Sequence, residues 1–243
     1  MKVTPIHFSA LMVRALLGGT KVQTRRIIKP QPQHIEWFEH QRDWCARVAE
    51  NRYELQPCPY GKAGEALLWV RETIAYQWPE HCDDGLIYSA NEGPSVYEYG
   101  RPVKKEECDI IYRATDNGET EWMGDDGEPR PPRWTPPIHM PRRASRLTLE
   151  LTEVRAERLR DISEEDALAE GIAWSERTEG FSYDPADGGP GFHGSDPRES
   201  YFKLWDFLNG DGESWKSPWV WCLSFRIHQV NIDTFVKTRE AAA

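Results

Sequence analysis

The sequence predicts an α+β fold in which strands dominate and the helices are short. Three observations lead there. Residues 66–72 form an apolar run fed by a Gly61-Lys62-Ala63-Gly64-Glu65 turn. Residues 146–154 alternate Leu147, Leu149 and Leu151 against Thr148, Glu150 and Thr152, the pattern of a half-buried antiparallel strand. The helical stretches are brief and begin on residues able to cap them, at Ser9, Ser163 and Asp196.

In chain order, Ser9 starts a helix over residues 10–17, and Gly18-Gly19 supplies the left-handed residue that stops it. Residues 21–27 read as extended. Lys29-Pro30-Gln31-Pro32-Gln33 must leave regular structure, because two prolines cannot donate to a ladder. The apolar run at 66–72 is a buried strand, and 109–113 is a further one within a polar stretch. Ser163-Glu164-Glu165-Asp166 has capping-box spacing for a helix to Ala169, closed by Gly171, with Glu170 at its mouth. Asp196-Pro197 opens a helix that places Tyr201, Phe202, Trp205 and Leu208 on one face and ends at Asn209-Gly210. Trp219, Trp221, Leu223 and Phe225 alternate in a closing strand.

With 243 residues the chain reads as one domain over 1–235, with insertions at about 30–60, 77–145 and 173–195 and a tail at 236–243. No stretch approaches the apolar length of a membrane span, and Met-Lys-Val-Thr-Pro-Ile-His lacks the core of a signal peptide, so a cytoplasmic protein is expected. The 5 cysteines have no CxxC spacing and read as free thiols, with no metal or other cofactor expected. Cys58, His81 and Cys82 are the alternative metal set, poorly spaced for chelation. A net charge of -10 disfavours adhesion to long polyphosphate. Local basic clusters can still grip a nucleotide or a short strand.

The densest such cluster is Gly18-Gly19-Thr20-Lys21-Val22-Gln23-Thr24-Arg25-Arg26. It places an amine, hydroxyls and two guanidiniums together just after a helix. A flat strand would point Lys21 and Thr24 to opposite faces, so a shared site requires a bend.

The Gly19-x-Lys21-x-x-Thr24-x-Arg26 strand, the Gly64-Glu65-Ala66-Leu67-Leu68-Trp69-Val70 strand and the Asp166-Ala167-Leu168-Ala169-Glu170-Gly171 helix, in that order, resemble the ASCH domain family. Thr24-Arg25-Arg26 with Lys29-Pro30-Gln31-Pro32, Trp69-Val70-Arg71-Glu72-Thr73 and Ile138-His139-Met140-Pro141 look like the larger phage- and prophage-encoded members. The resemblance covers about half of the residues and implies a PUA-like mixed β-barrel with flanking helices, located in the host cytoplasm. Small bacterial members include amidohydrolases that deacetylate N4-acetylcytidine, which implies catalytic roles for Lys21, Thr24 and Glu170. Other relatives are thought to bind or process RNA.

Amide cleavage needs a nucleophile, a base and an acid. Thr24 requires a base, and Lys21 serves if burial and the charges of Arg25 and Arg26 lower its pKa. Glu170 then protonates the departing amine. The same lysine, threonine and arginines equally suit phosphate holding without reaction. Trp69 suits base stacking or the core, and Arg71 joins the nucleic-acid-contacting candidates. Glu72 suits substrate contact or a structural salt bridge to Arg26. Arg142, Arg143 and Arg146 form a second basic cluster, either a nucleic-acid path or a solvated edge. Ser145 and His139 lack both a nucleophile elbow and an orienting acid, which argues against a serine hydrolase. The expected partner is a nucleoside or short RNA. The rival readings are a noncatalytic RNA- or DNA-binding module and a phage protein that binds a host factor through acidic, Trp-rich loops.

Overall fold

The computed structural model describes residues 1–77, 97–98, 101–102, 108–116, 118, 120, 122–123, 129–176, 179–183 and 194–242. Its strands are β1 (Lys2–His7), β2 (Gln23–Ile27), β3 (Ile35–Phe38), β4 (Asp43–Ala49), β5 (Arg52–Leu55), β6 (Ala66–Arg71), β7 (Ile74–Gln77), β8 (Tyr97–Glu98), β9 (Arg101–Pro102), β10 (Asp109–Tyr112), β11 (Trp122–Met123), β12 (Pro129–Arg130), β13 (Thr148–Arg158), β14 (Ile172–Ser175), β15 (Gly180–Tyr183) and β16 (Trp219–His228). The helices are α1 (Ala10–Leu17), α2 (Glu164–Ala169), α3 (Pro197–Asn209) and α4 (Ile232–Ala241).

The main sheet has the order β1-β6-β13-β16-β2. β1 runs parallel to β6 and the remaining pairs are antiparallel. The expectation of a mixed α+β fold therefore holds. The sheet is open among the described residues, with β1 and β2 at its edges.

β13 and β16 are interior strands of the sheet, and the core-facing side chains on and just before them are fully buried. Leu147, Leu149, Leu151, Val220, Cys222 and Leu223 are each 0% exposed. Truncating a leucine in such a place removes apolar contact and leaves a void, at about 2–5 kcal/mol. α1 buries Met12, Val13 and Leu16 on one face of the sheet. α4 covers the other face, where Ile232 packs with Leu67 and Trp69. Burial on both faces is why Thr148 is hidden and donates to the Val230 carbonyl at 2.9 Å, where strict alternation predicts a solvated threonine.

The local signals worked where capping chemistry is self-contained. The Ser9 hydroxyl accepts from the Met12 amide and Gly19 takes φ 72 just beyond α1. The Ser163 hydroxyl accepts from the Asp166 amide, and Asp196 caps α3. Along α3 the buried face is Tyr201, Leu204 and Trp205, whereas Leu208 is exposed.

Several segments differ from expectation. β13 extends to Arg158 because the register shifts between Leu151 and Glu153, so an extra residue resets the alternation and lets a charged run continue as strand. Residues 30–60 contain the β3-β4-β5 sheet, with Asn51 at φ 57 in the turn between its last two strands. The rings of Trp44 and Trp221 meet edge-on at 5.8 Å and dock this small sheet on the large one. Part of 173–195 pairs as the β14-β15 ribbon, tied by an edge-on contact between Trp174 and Phe181. α4 runs through most of the segment expected to be a tail. Among the described residues, no helix is long and apolar enough to cross a membrane.

Candidate functional site

Lys21 lies before β2 proper, in an isolated antiparallel bridge with Glu170. Two backbone bonds hold that geometry: the Val22 amide donates to the Ala169 carbonyl at 2.8 Å, and the Phe225 amide to the Val22 carbonyl at 3.0 Å. Gly171, at φ 101, lets the chain turn out of α2. A Cβ there would stand 3.1 Å from a Tyr183 ring carbon and 3.3 Å from the Lys21 Cβ, so glycine also makes room for the lysine.

The Lys21 Nζ donates to Glu170 Oε2 at 2.5 Å and to the Glu170 carbonyl at 2.9 Å. Both side chains are buried, Lys21 completely. The other carboxylate oxygen, Oε1, accepts from Arg25 Nη1 and the Tyr201 hydroxyl, at 3.2 and 3.3 Å. Arg25 also donates through Nη1 to Gln23 Oε1, through Nε and Nη2 to Glu157 Oε1, and through Nη2 to Asp166 Oδ2. Arg155 adds a bond to Asp166 Oδ2 at 2.9 Å. Three cations thus face three carboxylates in one network, the pairing that buried charge requires.

The protonation tendencies follow from this packing. Burial pushes the Lys21 pKa down, partly opposed by the charge and hydrogen bond of Glu170, while Arg26 and Arg25 push it further down. Burial works to raise the Asp166 carboxyl, yet hydrogen bonds from Arg155 and Gln23, with the charges of Arg25 and Arg155, hold it below the ordinary carboxylate range. Burial, then the charge of Glu170, drives the Tyr201 hydroxyl far upward, so it stays a proton donor.

Glu157, Asp166 and Cys222 place ligand-type atoms within 4.8 Å of one another. Their charges are already engaged by Arg25 and Arg155, and burial raises the Cys222 thiol to about 12. A thiol held protonated is a poor metal ligand. This trio therefore belongs to the ion-pair network.

Beside the network lies a cleft of about 840 Å³ whose wall includes Thr24, Arg25, Arg26, Glu170, Tyr201 and Trp205. Thr24 is paired with Leu223 and Arg25 with Cys222, so successive β2 side chains leave opposite faces of the strand. Among the described residues the Thr24 hydroxyl has no hydrogen-bond partner, although the residue is only 2% exposed. His7 contributes from β1, its pKa lowered by burial and by the charges of Arg71 and Arg26.

The candidates from sequence divide sharply. Lys21, Glu170 and Arg25 come together, and Thr24 and Arg26 share the cleft wall with Glu170. Lys21 itself lies behind the wall, its nitrogen enclosed by Glu170. Trp69 is 4% exposed in the small core under α4, and Arg71 stacks on it at 4.6 Å from the ring centre. Glu72 does not meet Arg26. It is gripped at both oxygens by Arg146, each bond 2.8 Å, while Arg26 donates to the His7 carbonyl and lies over Phe8. Arg142 pairs with Asp233 at the start of α4, and Arg142, Arg143 and Arg146 are all absent from the cleft wall. Ser145 accepts from the Ile232 amide as part of that helix start. Cys58 is buried, and the His81 and Cys82 that completed the alternative metal set lie outside the described residues.

Sequence reasoning missed Gln23, Glu157, Asp166, Tyr201 and Arg155 as members of the network. Only the Gln23-x-Arg25 spacing signalled any of it, since residues two apart share a strand face. No family model, curated protein or solved structure matches this chain.

Proposed function

We propose that the chain is an ASCH-type protein of PUA-like architecture that removes an acyl group from N4-acylated cytosine in the cleft beside Thr24. The observation that carries this reading is the buried Lys21–Glu170 pair next to a cleft wall on which the Thr24 hydroxyl has no protein partner. The reaction requires a proton to pass between the two partners of this pair, which are in direct contact. In one form the pair is ammonium and carboxylate; in the other it is amine and carboxylic acid. The second form supplies a base and an acid together, and the downward push on the Lys21 pKa favours it.

In the reaction, Thr24 Oγ1 attacks the acyl carbonyl carbon and its proton is relayed through water in the cleft to Glu170 on the wall, which passes its own proton to the Lys21 amine behind it. Collapse of the tetrahedral species breaks the carbon–N4 bond. The cytosine amine leaves with the proton of the Glu170 carboxyl, and the acyl group remains as an ester on Thr24. Water then cleaves the ester: its hydroxyl goes to the acyl carbon to give the carboxylic acid, its other hydrogen goes to Thr24 Oγ1, and a proton shift from Lys21 back to Glu170 resets the pair. Incubation with N4-acetylcytidine, followed by chromatography for cytidine and acetate, tests the proposal. Release that disappears in Lys21→Ala and Thr24→Ala supports it; release no greater than theirs defeats it.

One observation favours a second reading, a noncatalytic nucleic-acid-binding module. The Lys21 nitrogen is completely buried and bonded twice to Glu170, as expected of a group that shapes a cleft without reacting. That reading predicts saturable binding of a cytosine ligand by the wild-type chain with no turnover.

A further inference from the structure

The charges on the cleft wall bear on what kind of cytosine derivative it accepts. Among its described lining residues the only carboxylate is Glu170, which is already paired with Lys21 and Arg25. Arg25 is likewise consumed by Glu157, Asp166 and Glu170. Two further cations line the cleft, Arg26 and Lys29, and neither has an anionic partner among the described residues. Arg26 donates through Nη2 to the His7 carbonyl, and its buried Nε has no partner among the described residues. Lys29 is exposed and makes no ion pair or hydrogen bond among the described residues. A cleft with two uncompensated cations is electropositive even though the whole chain carries -10.

Both cations follow Thr24 in the chain and line the same cleft. Thr24 and Arg26 leave the same face of β2, since their partners Leu223 and Trp221 are two apart on β16, and their backbones are separated by about 6.7 Å. Lys29 follows beyond the strand end. A ligand whose acyl group meets Thr24 thus has Arg26 on the same strand face and Lys29 on the same cleft wall. Phe8, Tyr60 and Trp221 contribute aromatic rings to the same wall, and the volume of about 840 Å³ leaves room beyond a base and sugar.

We propose that the ligand of this cleft is a nucleotide, whose phosphate is held by Arg26 and Lys29 while its cytosine lies toward Thr24. The inference rests on the cleft being the ligand site assigned above, and it concerns binding alone, so it is tested without turnover. Guanidinium and ammonium supply charge-assisted bonds that a free nucleoside cannot accept.

Calorimetric titration of the full chain with cytidine, cytidine 5′-monophosphate, inorganic phosphate and a cytidine-centred trinucleotide is the test. The monophosphate should bind at least tenfold tighter than cytidine, with an affinity that falls as salt rises. In Arg26→Ala/Lys29→Ala that ratio should collapse to about one, and in Lys29→Ala, whose exposed side chain carries no fold contact, it should shrink. Equal wild-type affinities for cytidine and its monophosphate would overturn the proposal. So would inorganic phosphate binding as tightly as the monophosphate, or the absence of binding by all four probes. The trinucleotide identifies the source of the phosphate: tighter binding than the monophosphate, with a steeper salt dependence, assigns it to a polymer, and weaker binding to a free nucleotide. Nucleotide binding without deacylation would sink the hydrolase reading and leave this one standing.

Discussion

Lys21 and Glu170 are 149 positions apart, yet the lysine nitrogen lies 2.5 Å from the glutamate side chain and 2.9 Å from its main-chain carbonyl. The contact ties the segment before the edge strand β2 to the end of α2, where Lys21 is completely buried and Glu170 nearly so. Such a pair need not add net stability relative to an apolar pair, because both charges must be desolvated. Removing one partner is a different matter.

Lys21→Met leaves Glu170 with only Arg25 and Tyr201, and Glu170→Gln leaves an ammonium with a single neutral carbonyl and amide. Each should lower unfolding free energy by about 3–5 kcal/mol. The double variant Lys21→Met/Glu170→Leu should lose much less than the sum, because nothing charged is then stranded. Urea midpoints for the four proteins measure the coupling. Strictly additive losses would show that the two groups do not interact.

Acid should weaken the fold through Asp166. Its carboxyl lies below the ordinary range in the folded chain, so as pH falls the unfolded chain takes up that proton first. The contribution is complete above the unfolded-state pKa of about 3.9 and drains away as pH drops through the lower, folded-state value. Asp166→Asn should therefore flatten the acid limb of stability against pH, while reducing stability at neutral pH because Arg25 and Arg155 lose a shared anion. An unchanged acid limb would refute the assignment.

How far the sequence reveals this site depends on the range of the interaction. Caps at Ser9 and Ser163 were legible, since donor and acceptor lie within three residues. So was Glu170 beside Gly171, as a helix mouth. That Lys21 meets Glu170 was expected only through a family resemblance, because nothing local to either residue names the other. Glu157 escaped notice for a physical reason: the register shift after Leu151 breaks the period, and Arg155, Ala156, Glu157 and Arg158 then look like loop. The β3–β5 sheet was hidden likewise, its rings split between a docking face and solvent, with Trp37 40% exposed and Trp44 against Trp221.

Glu72 and Arg146 make the same point in a second ion pair. Glu72 is 1% exposed and Arg146 is 23% exposed on its side chain, with the guanidinium 4.0 Å from the Tyr112 ring centre. Pairing Glu72 with Arg26 was reasonable from strand alternation, but it ignored sheet order, which puts β13 beside β6 and β2 at the far edge. Arg146→Ala should lower stability by about 3 kcal/mol by stranding a buried carboxylate. Nucleotide affinity should not change, since Arg146 does not line the cleft. Loss of affinity without loss of stability would restore the basic cluster at 142–146 as a binding surface.

Thr24 separates chemistry from architecture most cleanly. Its hydroxyl serves no other protein group among the described residues, so replacing it with a methyl in Thr24→Val removes no internal hydrogen bond. Stability should stay within about 0.5 kcal/mol of wild type or rise slightly. If that oxygen is the nucleophile, deacylation should fall on the order of 10³-fold or more, because the base and acid of the Lys21–Glu170 pair have nothing to activate. Thr24→Ser keeps an oxygen in the same position and should retain turnover, while losing about 0.8 kcal/mol with the buried methyl. Melting curves and cytidine release on the same three proteins decide the matter: a stable Thr24→Val that still releases cytidine would remove Thr24 from the reaction and leave the cleft as a binding site.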